Sequence, residues 1–331
     1  MKKTRIGYVR LCDAAPLVVA RALGCYAREK VHVDLVPLAS WSEVRDRLIV
    51  GDLQASHCLA GIPLAAQAGL FGPQAQLATA FTLNHHGNAI TLATSLAGIL
   101  RSGAGNFVDY VRNRRREGRP LVLASVFPVS KHEYELRNWI ASLGLDPRAD
   151  MRLVVVSPPE TARAMRNGRI DGYCVGEPWN TRAIREGWGE AVAISAESSL
   201  PGTEKVLTVS ESFLDCAEHA AILRALASAA NWLADDANAE AAIELLAPYV
   251  GRSLEELRPS FTGSFRSASA APTNPPFLRF DRSINRPDLA HARWYLQQMQ
   301  AAGQVDADAA IDAISARAFR SDVHDRCLAP R

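Results

Sequence analysis

Three short segments place hydrogen-bond donors where a helix would begin. Ser40-Trp41-Ser42-Glu43 and Ser130-Lys131-His132-Glu133 share the Ser-x-x-Glu spacing of a capping box. In such a box the serine hydroxyl accepts from the third helical amide, and the glutamate reaches back to the serine amide. Trp41 and His132 then fall in first turns, beside amides that have no partner within the helix. An indole carries one donor and no acceptor, which suits an anion. The third segment is Val175-Gly176-Glu177-Pro178-Trp179-Asn180, between a strand-like Gly172-Tyr173-Cys174 and a helix-like run at 181–187. Pro178 suits a first helical turn. Gly176 leaves a bare amide just ahead, where a helix N-terminus attracts negative charge. Taken singly, core packing explains Trp41, and a packed or solvated first-turn imidazole explains His132. Three helix starts carrying an indole, an imidazole and a glycine amide point to an anion cradle rather than a catalytic dyad. Glu43 and Glu133 are assigned to capping.

Other polar residues carry weaker signals. His85 and His86 precede Gly87-Asn88 in an expected turn between strands, and no further metal ligands stand at suitable spacing. His57-Cys58 reads as part of a buried strand. Lys205 opens a strand expected at 206–209 and is the one cation expected in the site; its loss should weaken binding with little effect on folding. Cys12, Cys25, Cys58, Cys174, Cys216 and Cys327 are scattered with no CxxC pair, which fits a reducing compartment without disulfides or zinc. Arg112-Asn113-Arg114-Arg115-Arg116 reads as the solvated C-terminal end of a helix.

The elements that must position these residues alternate. Strand patterns at 4–10, 31–35, 54–59, 77–83, 89–94, 121–126, 151–156 and 170–175 are interleaved with helical stripes. Such alternation predicts an α/β fold with helices on both sheet faces. Crossings near residues 94 and 206 predict two lobes with a ligand cleft between them. Lobe I is expected from 1–94 and 207–331, discontinuous in sequence, and lobe II from 95–206. Residues 217–247 read as helical, 261–285 as a long irregular connection, and 287–302 and 307–318 as closing helices. The 331 residues suffice for about two domains at ~100–200 residues each. The net charge of +2 predicts no strong field toward nucleic acid or membrane. No apolar run approaches the ~20 residues that span a bilayer. The start Met1-Lys2-Lys3 runs straight into a strand pattern without a leader-like apolar region, so a cytoplasmic location is expected, or a periplasmic one if a leader was removed.

With these residues in view, the chain resembles the nitrate- and bicarbonate-binding family of periplasmic-binding-protein-like receptors, and in particular its cytosolic nitrate/nitrite sensors. The resemblance is carried by Gly7-Tyr8-Val9, Asp13-Ala14-Ala15-Pro16-Leu17, Ala39-Ser40-Trp41 with Arg45-Asp46, and His86-Gly87-Asn88-Ala89-Ile90. It continues through the His132 segment with Leu136-Arg137 and Trp139, Gly172 to Trp179, and Arg293-Trp294-Tyr295-Leu296-Gln297-Gln298-Met299. It implies a type II fold and a small planar anion, with Trp41, His132, Gly176 and Lys205 as ligands. A fifth ligand position, typically Gln in the importer receptors, falls on His86. A neutral imidazole donates one hydrogen bond and a protonated one two, so binding should tighten as the pH falls. In the bicarbonate branch the Lys205 position resembles an acidic residue that works with calcium, so the lysine favours nitrate or nitrite. The sensor branch implies an ANTAR-type antiterminator as partner, with no catalytic residue, cofactor or metal and no direct nucleic-acid contact. A substrate-binding component of a nitrate importer is the alternative. An enzyme similar to the pyrimidine synthase of thiamine biosynthesis is disfavoured, because its Cys-rich iron motif is absent.

Overall fold

The computed structural model describes residues 3–73, 75–262 and 277–329. Most of the irregular connection expected at 261–285 lies outside the described residues. The described strands are β1 (Thr4–Val9), β2 (Val33–Leu38), β3 (Ala55–Leu59), β4 (Leu77–His86), β5 (Asn88–Ala93), β6 (Leu121–Ser125), β7 (Met151–Val155), β8 (Gly172–Gly176), β9 (Gly189–Ile194), β10 (Thr203–Ser210) and β11 (Leu278–Arg279). The chain divides into two compact units. Unit 1 takes Met1–His86, Pro201–Leu254 and Leu278–Arg331; unit 2 takes Gly87–Leu200 and Glu255–Phe277.

Unit 1 holds a six-stranded mixed sheet in the order β11-β4-β10-β3-β1-β2. β1 runs parallel to β2 and β3, while β10 returns antiparallel between β3 and β4. Gly7 on β1 is required by close approach. A Cβ there would stand 2.7 Å from both Leu38 Cδ1 and Ser56 Oγ. β3 is buried along its whole length, with Ala55, His57 and Leu59 at most 1% exposed. Helices Ala217–Leu233 and Ala239–Val250 fill the span expected to be helical, and Leu289–Ala301 and Ile311–Ala318 close the chain with Ser321–Leu328 added.

Unit 2 holds a five-stranded sheet in the order β7-β6-β8-β5-β9. β6 lies parallel to β7 and β8, and β5 lies antiparallel to β8 and β9. Its core joins Leu92, Leu121, Leu123 and Cys174 of the sheet to Phe107, Val111, Leu136 and Ile140 of the covering helices. Each such aliphatic or aromatic side chain contributes roughly 1.5–3 kcal/mol on burial. The arginine-rich segment ends the helix Ala104–Arg116, as expected from cations at a helix C-terminus. Arg114 pairs with Asp171 at 2.6 Å and Arg115 with Asp150 at 3.0 Å.

Of the turn expected at 84–88, only Gly87 lies outside a strand, and the two histidines are strand residues. β4 and β5 belong to different sheets, and the chain passes from unit 1 to unit 2 between His86 and Gly87. β4 continues to His86 because β10 pairs Thr203 with His85 and β11 pairs Leu278 with His86. His86 has φ 60° and is followed by Gly87 at φ 98°. That left-handed conformation is uncommon for a residue with a Cβ. Two bonds hold it: His86 N donates to Gly202 O at 2.9 Å, and Asn84 Nδ2 donates to His86 O at 2.9 Å.

Candidate functional site

In unit 1 the strand register gathers a buried polar cluster. Lys205 lies third in β10, because the strand starts earlier than the sequence suggested, with Leu59 of β3 and Asn84 of β4 as its neighbours. Lys205 and Leu207 share one face at period two, and their cross-strand partners Leu59 and His57 share that face. Both Lys205 and His57 therefore reach Asp13, in the turn after β1. Lys205 Nζ lies 2.9 Å from Asp13 Oδ2, and His57 Nε2 lies 2.8 Å from Asp13 Oδ1. Glu204 is an extra residue in β10: Thr203 faces His85 while Lys205 already faces Asn84. Such an irregularity re-aims side chains, and Glu204 Oε1 stands 2.7 Å from Lys205 Nζ. Lys205, Glu204 and His57 have no exposed surface to within 1%, and Asp13 keeps 2%.

Trp41 completes the cluster. The helix Trp41–Ile49 starts where Ser40 Oγ accepts from Glu43 N at 3.2 Å. Glu43 reaches one residue beyond the expected box and accepts from Ala39 N at 2.8 Å. The cap puts the indole inside, 1% exposed, with its centroid 5.5 Å from Lys205 Nζ and 5.4 Å from the His57 ring. Its Nε1–H is buried without a hydrogen-bond partner. An orphaned donor of this kind is uncommon and needs a reason. His86 stands at the end of the adjacent strand β4, partly buried.

The electrostatics differ from those of a lone lysine. Burial lowers the Lys205 pKa, but Asp13 and Glu204 outweigh it and hold the ammonium above its ordinary value. Burial likewise raises the Asp13 pKa, and Lys205 and His57 outweigh it and keep the carboxyl well below the usual range. The expected solitary positive charge is thus one ammonium between two carboxylates. Its removal would leave two buried carboxyls without that partner, which predicts a cost to folding as well as to binding.

In unit 2, Ser130 Oγ accepts from Glu133 N at 3.2 Å and starts the helix Lys131–Ser142. The other half of the expected box is absent, since Glu133 binds Arg137 at 2.9 Å instead. His132 lies fully buried in this first turn. Lys131 is buried as well, 3.4 Å from Glu135 Oε1. Gly176 closes β8 opposite Asn88, and the following helix is Trp179–Arg185. Gly176 is therefore a strand end and not part of a helix start, and Pro178 precedes the helix. The rest of that motif is used in building the turn. Asn180 Nδ2 donates to Val175 O at 2.8 Å, and Thr181 N donates to Glu177 Oε2 at 3.2 Å. Glu177 is 1% exposed, and burial pushes its pKa up to about 7 against the opposing bonds from Thr181 and Asn180.

A groove of about 480 Å³ lies within unit 2, with Asn88, Glu135, Trp139 and Ser195 among its walls. None of the five expected ligands lines it. Its buried Glu135 is answered inside the fold by Asn88 Nδ2 at 3.0 Å and by Lys131. Among the described residues, no group of three or more His, Cys, Asp or Glu side chains could hold a metal ion. No helix among them is long and apolar enough to cross a membrane.

Sequence reasoning missed Asp13 and Glu204 as parts of the site. The available signal was a Glu-Lys pair at the head of an otherwise apolar strand, which predicts burial with an acidic partner.

The geometry agrees with known folds. The chain superposes on the periplasmic nitrate-binding protein NrtA from Synechocystis with a TM-score of 0.90, at 22% identity, covering 99% of this chain and 89% of that one. It matches the ligand-binding component of an ABC-type import system from Staphylococcus aureus with a TM-score of 0.76, at 16% identity over 99% of both. The architecture is the type II periplasmic-binding-protein fold. In sequence it is 30% identical to the nitrate import ATP-binding protein NrtC from Synechocystis, over 91% of this chain and 46% of that protein. It is 32% identical to the bicarbonate transport ATP-binding protein CmpC from Synechococcus elongatus, over 91% and 45%. The nitrate/nitrite binding protein NrtA of that organism is 27% identical over 98% of this chain and 76% of its own length. The chain thus spans under half the length of NrtC and CmpC. A profile described as the NMT1-like family matches residues 1–247, and with three-quarters of its length so matched the chain belongs to that family.

Proposed function

We propose that this chain binds a small planar monoanion, nitrate or nitrite. The observation that carries the reading is the buried Trp41 Nε1–H, which has no acceptor among the described residues and lies beside the Lys205 ammonium. An oxyanion supplies the missing acceptor. In this reading Trp41, Lys205 and His86 are the ligands that unit 1 offers, and His132 and Gly176 are ligands that the sequence resemblance implies. The names of the NrtA and NrtC relatives support nitrate or nitrite. Equilibrium titration of both anions against the wild type and Trp41→Phe tests it. Binding that is indifferent to the loss of the indole N–H would remove its basis.

A bicarbonate reading is favoured by the 32% identity to CmpC. Lys205 speaks against it, because its ammonium occupies Asp13 and Glu204, the acidic groups a calcium ion would need. For the output of binding, we favour a cytosolic sensor that releases an ANTAR-type antiterminator when the anion binds. This rests on the sequence resemblance. An importer component is favoured equally by the names of the import relatives. Co-purification of the antiterminator with and without nitrate separates the two. A complex that nitrate dissociates supports the sensor, and a complex that ignores nitrate, or no complex, supports the importer.

A further inference from the structure

We infer that the groove within unit 2 is a second ligand site, for a small organic ammonium ion with an apolar body. None of the five expected anion ligands lines this groove, so the site does not depend on the anion reading. Its volume of about 480 Å³ falls within the ~300–1,000 Å³ usual for small-molecule sites. The helix Lys131–Ser142 supplies Trp139 to one wall, and β9 with the turn after it supplies Val192, Ile194 and Glu197 to another. Both walls are held in place. Trp139 packs edge-on against Phe107, with ring centroids 5.9 Å apart. The turn is closed by Ser198 Oγ, which donates to Ser195 O at 2.8 Å.

Charge selects the class of ligand. The described residues that line the groove include two carboxyls and no Lys, Arg or His. Glu135 is occupied within the fold, by Asn88 Nδ2 at 3.0 Å and by Lys131. Glu197 is not: its carboxylate makes no hydrogen bond or ion pair among the described residues. Partial burial raises its pKa, and no cation offsets the shift. It stays open to solvent, where a ligand can reach it. An unanswered carboxylate beside an indole and an aliphatic wall suits an ammonium group on an apolar body. An anion would meet like charge there, and a neutral apolar molecule would leave the carboxylate unanswered.

The test is calorimetry with phenethylammonium and its neutral counterpart 2-phenylethanol at neutral pH, on the wild type, Glu197→Gln and Trp139→Leu. The wild type should bind phenethylammonium saturably at one site and more tightly than the alcohol. In Glu197→Gln the ammonium-to-alcohol affinity ratio should fall about two- to fivefold, the effect of one largely exposed ion pair. A merely structural role for Glu197 would weaken both compounds together and leave the ratio unchanged, which would overturn the assignment. In Trp139→Leu both compounds should weaken, because each loses the indole wall. Undiminished binding in that variant would put the ligand elsewhere and likewise overturn it. Glu197 lies at the surface, so its arm does not depend on whether Trp139→Leu folds. No saturable phenethylammonium binding to the wild type, or equal affinity for the alcohol, would overturn the site without any variant. Loss of nitrate binding would bear only on the anion reading.

Discussion

Replacing Lys205 by Met tests the buried cluster through folding. Methionine fills similar volume, so cavity terms stay small. What changes is charge: Asp13 keeps His57 at 2.8 Å, while Glu204 loses the ammonium at 2.7 Å. Removing one partner of a buried pair typically costs about 3–5 kcal/mol, because the other charge remains without compensation. Direction with pH gives a second, sharper readout. In the wild type the Asp13 carboxyl is depressed by Lys205 and His57 against its burial. Its stabilisation is therefore present above the unfolded-state value and is lost as the pH falls through the folded value. In Lys205→Met burial of Asp13 is opposed by His57 alone, so the Asp13 carboxyl moves upward and acid relieves the variant. Urea denaturation at neutral and mildly acidic pH should show a large gap that narrows in acid. A variant within about 1 kcal/mol of wild type at neutral pH, like an exposed ion pair, would refute the buried-cluster account.

Three further outcomes follow from the same geometry. Trp41→Phe keeps the ring against His57 and Lys205 and deletes a donor that has no partner among the described residues. Thermal stability should hold within about 1 kcal/mol while nitrate binding weakens by roughly 1.5–3 kcal/mol, the worth of a hydrogen bond to a charged group. Glu177 has its pKa raised to about 7, chiefly by burial, so its stabilisation is present below the ordinary carboxylate range and lost as the pH rises through about 7. Glu177→Gln should flatten that slope in melting experiments and gain about 3 kcal/mol in mildly alkaline buffer. His86→Gln should keep nitrate binding and flatten the tightening of binding in acid, as read by titration across pH; an unchanged profile would leave His86 as a strand-end residue only.

The parts of this molecule that could be read from sequence are those governed by local spacing. Ser40 and Ser130 cap helices three residues ahead of Glu43 and Glu133, and that relation needs nothing beyond four residues. The partners of those glutamates were not legible. Whether Glu133 turns to Ser130 or to Arg137 depends on competing side chains on the helix face. The alternation of strands was visible, yet the place of His85 and His86 was not, because β10 and β11 come from distant segments and extend β4. Lys205 was recognisable as special only by resemblance. Its pairing with Asp13 depends on β10 inserting antiparallel beside β3, and its pairing with Glu204 on one irregular residue in that strand. Charge compensation is a property of that register and left no periodic trace.

The most direct test of the central claim is calorimetric titration of the wild-type chain with nitrate, nitrite and bicarbonate, each with and without calcium. The account predicts nitrate or nitrite binding between about −4 and −8 kcal/mol, millimolar to micromolar, unaffected by calcium, and no bicarbonate heat. Bicarbonate binding that appears only with calcium, and silence with nitrate and nitrite, would contradict it.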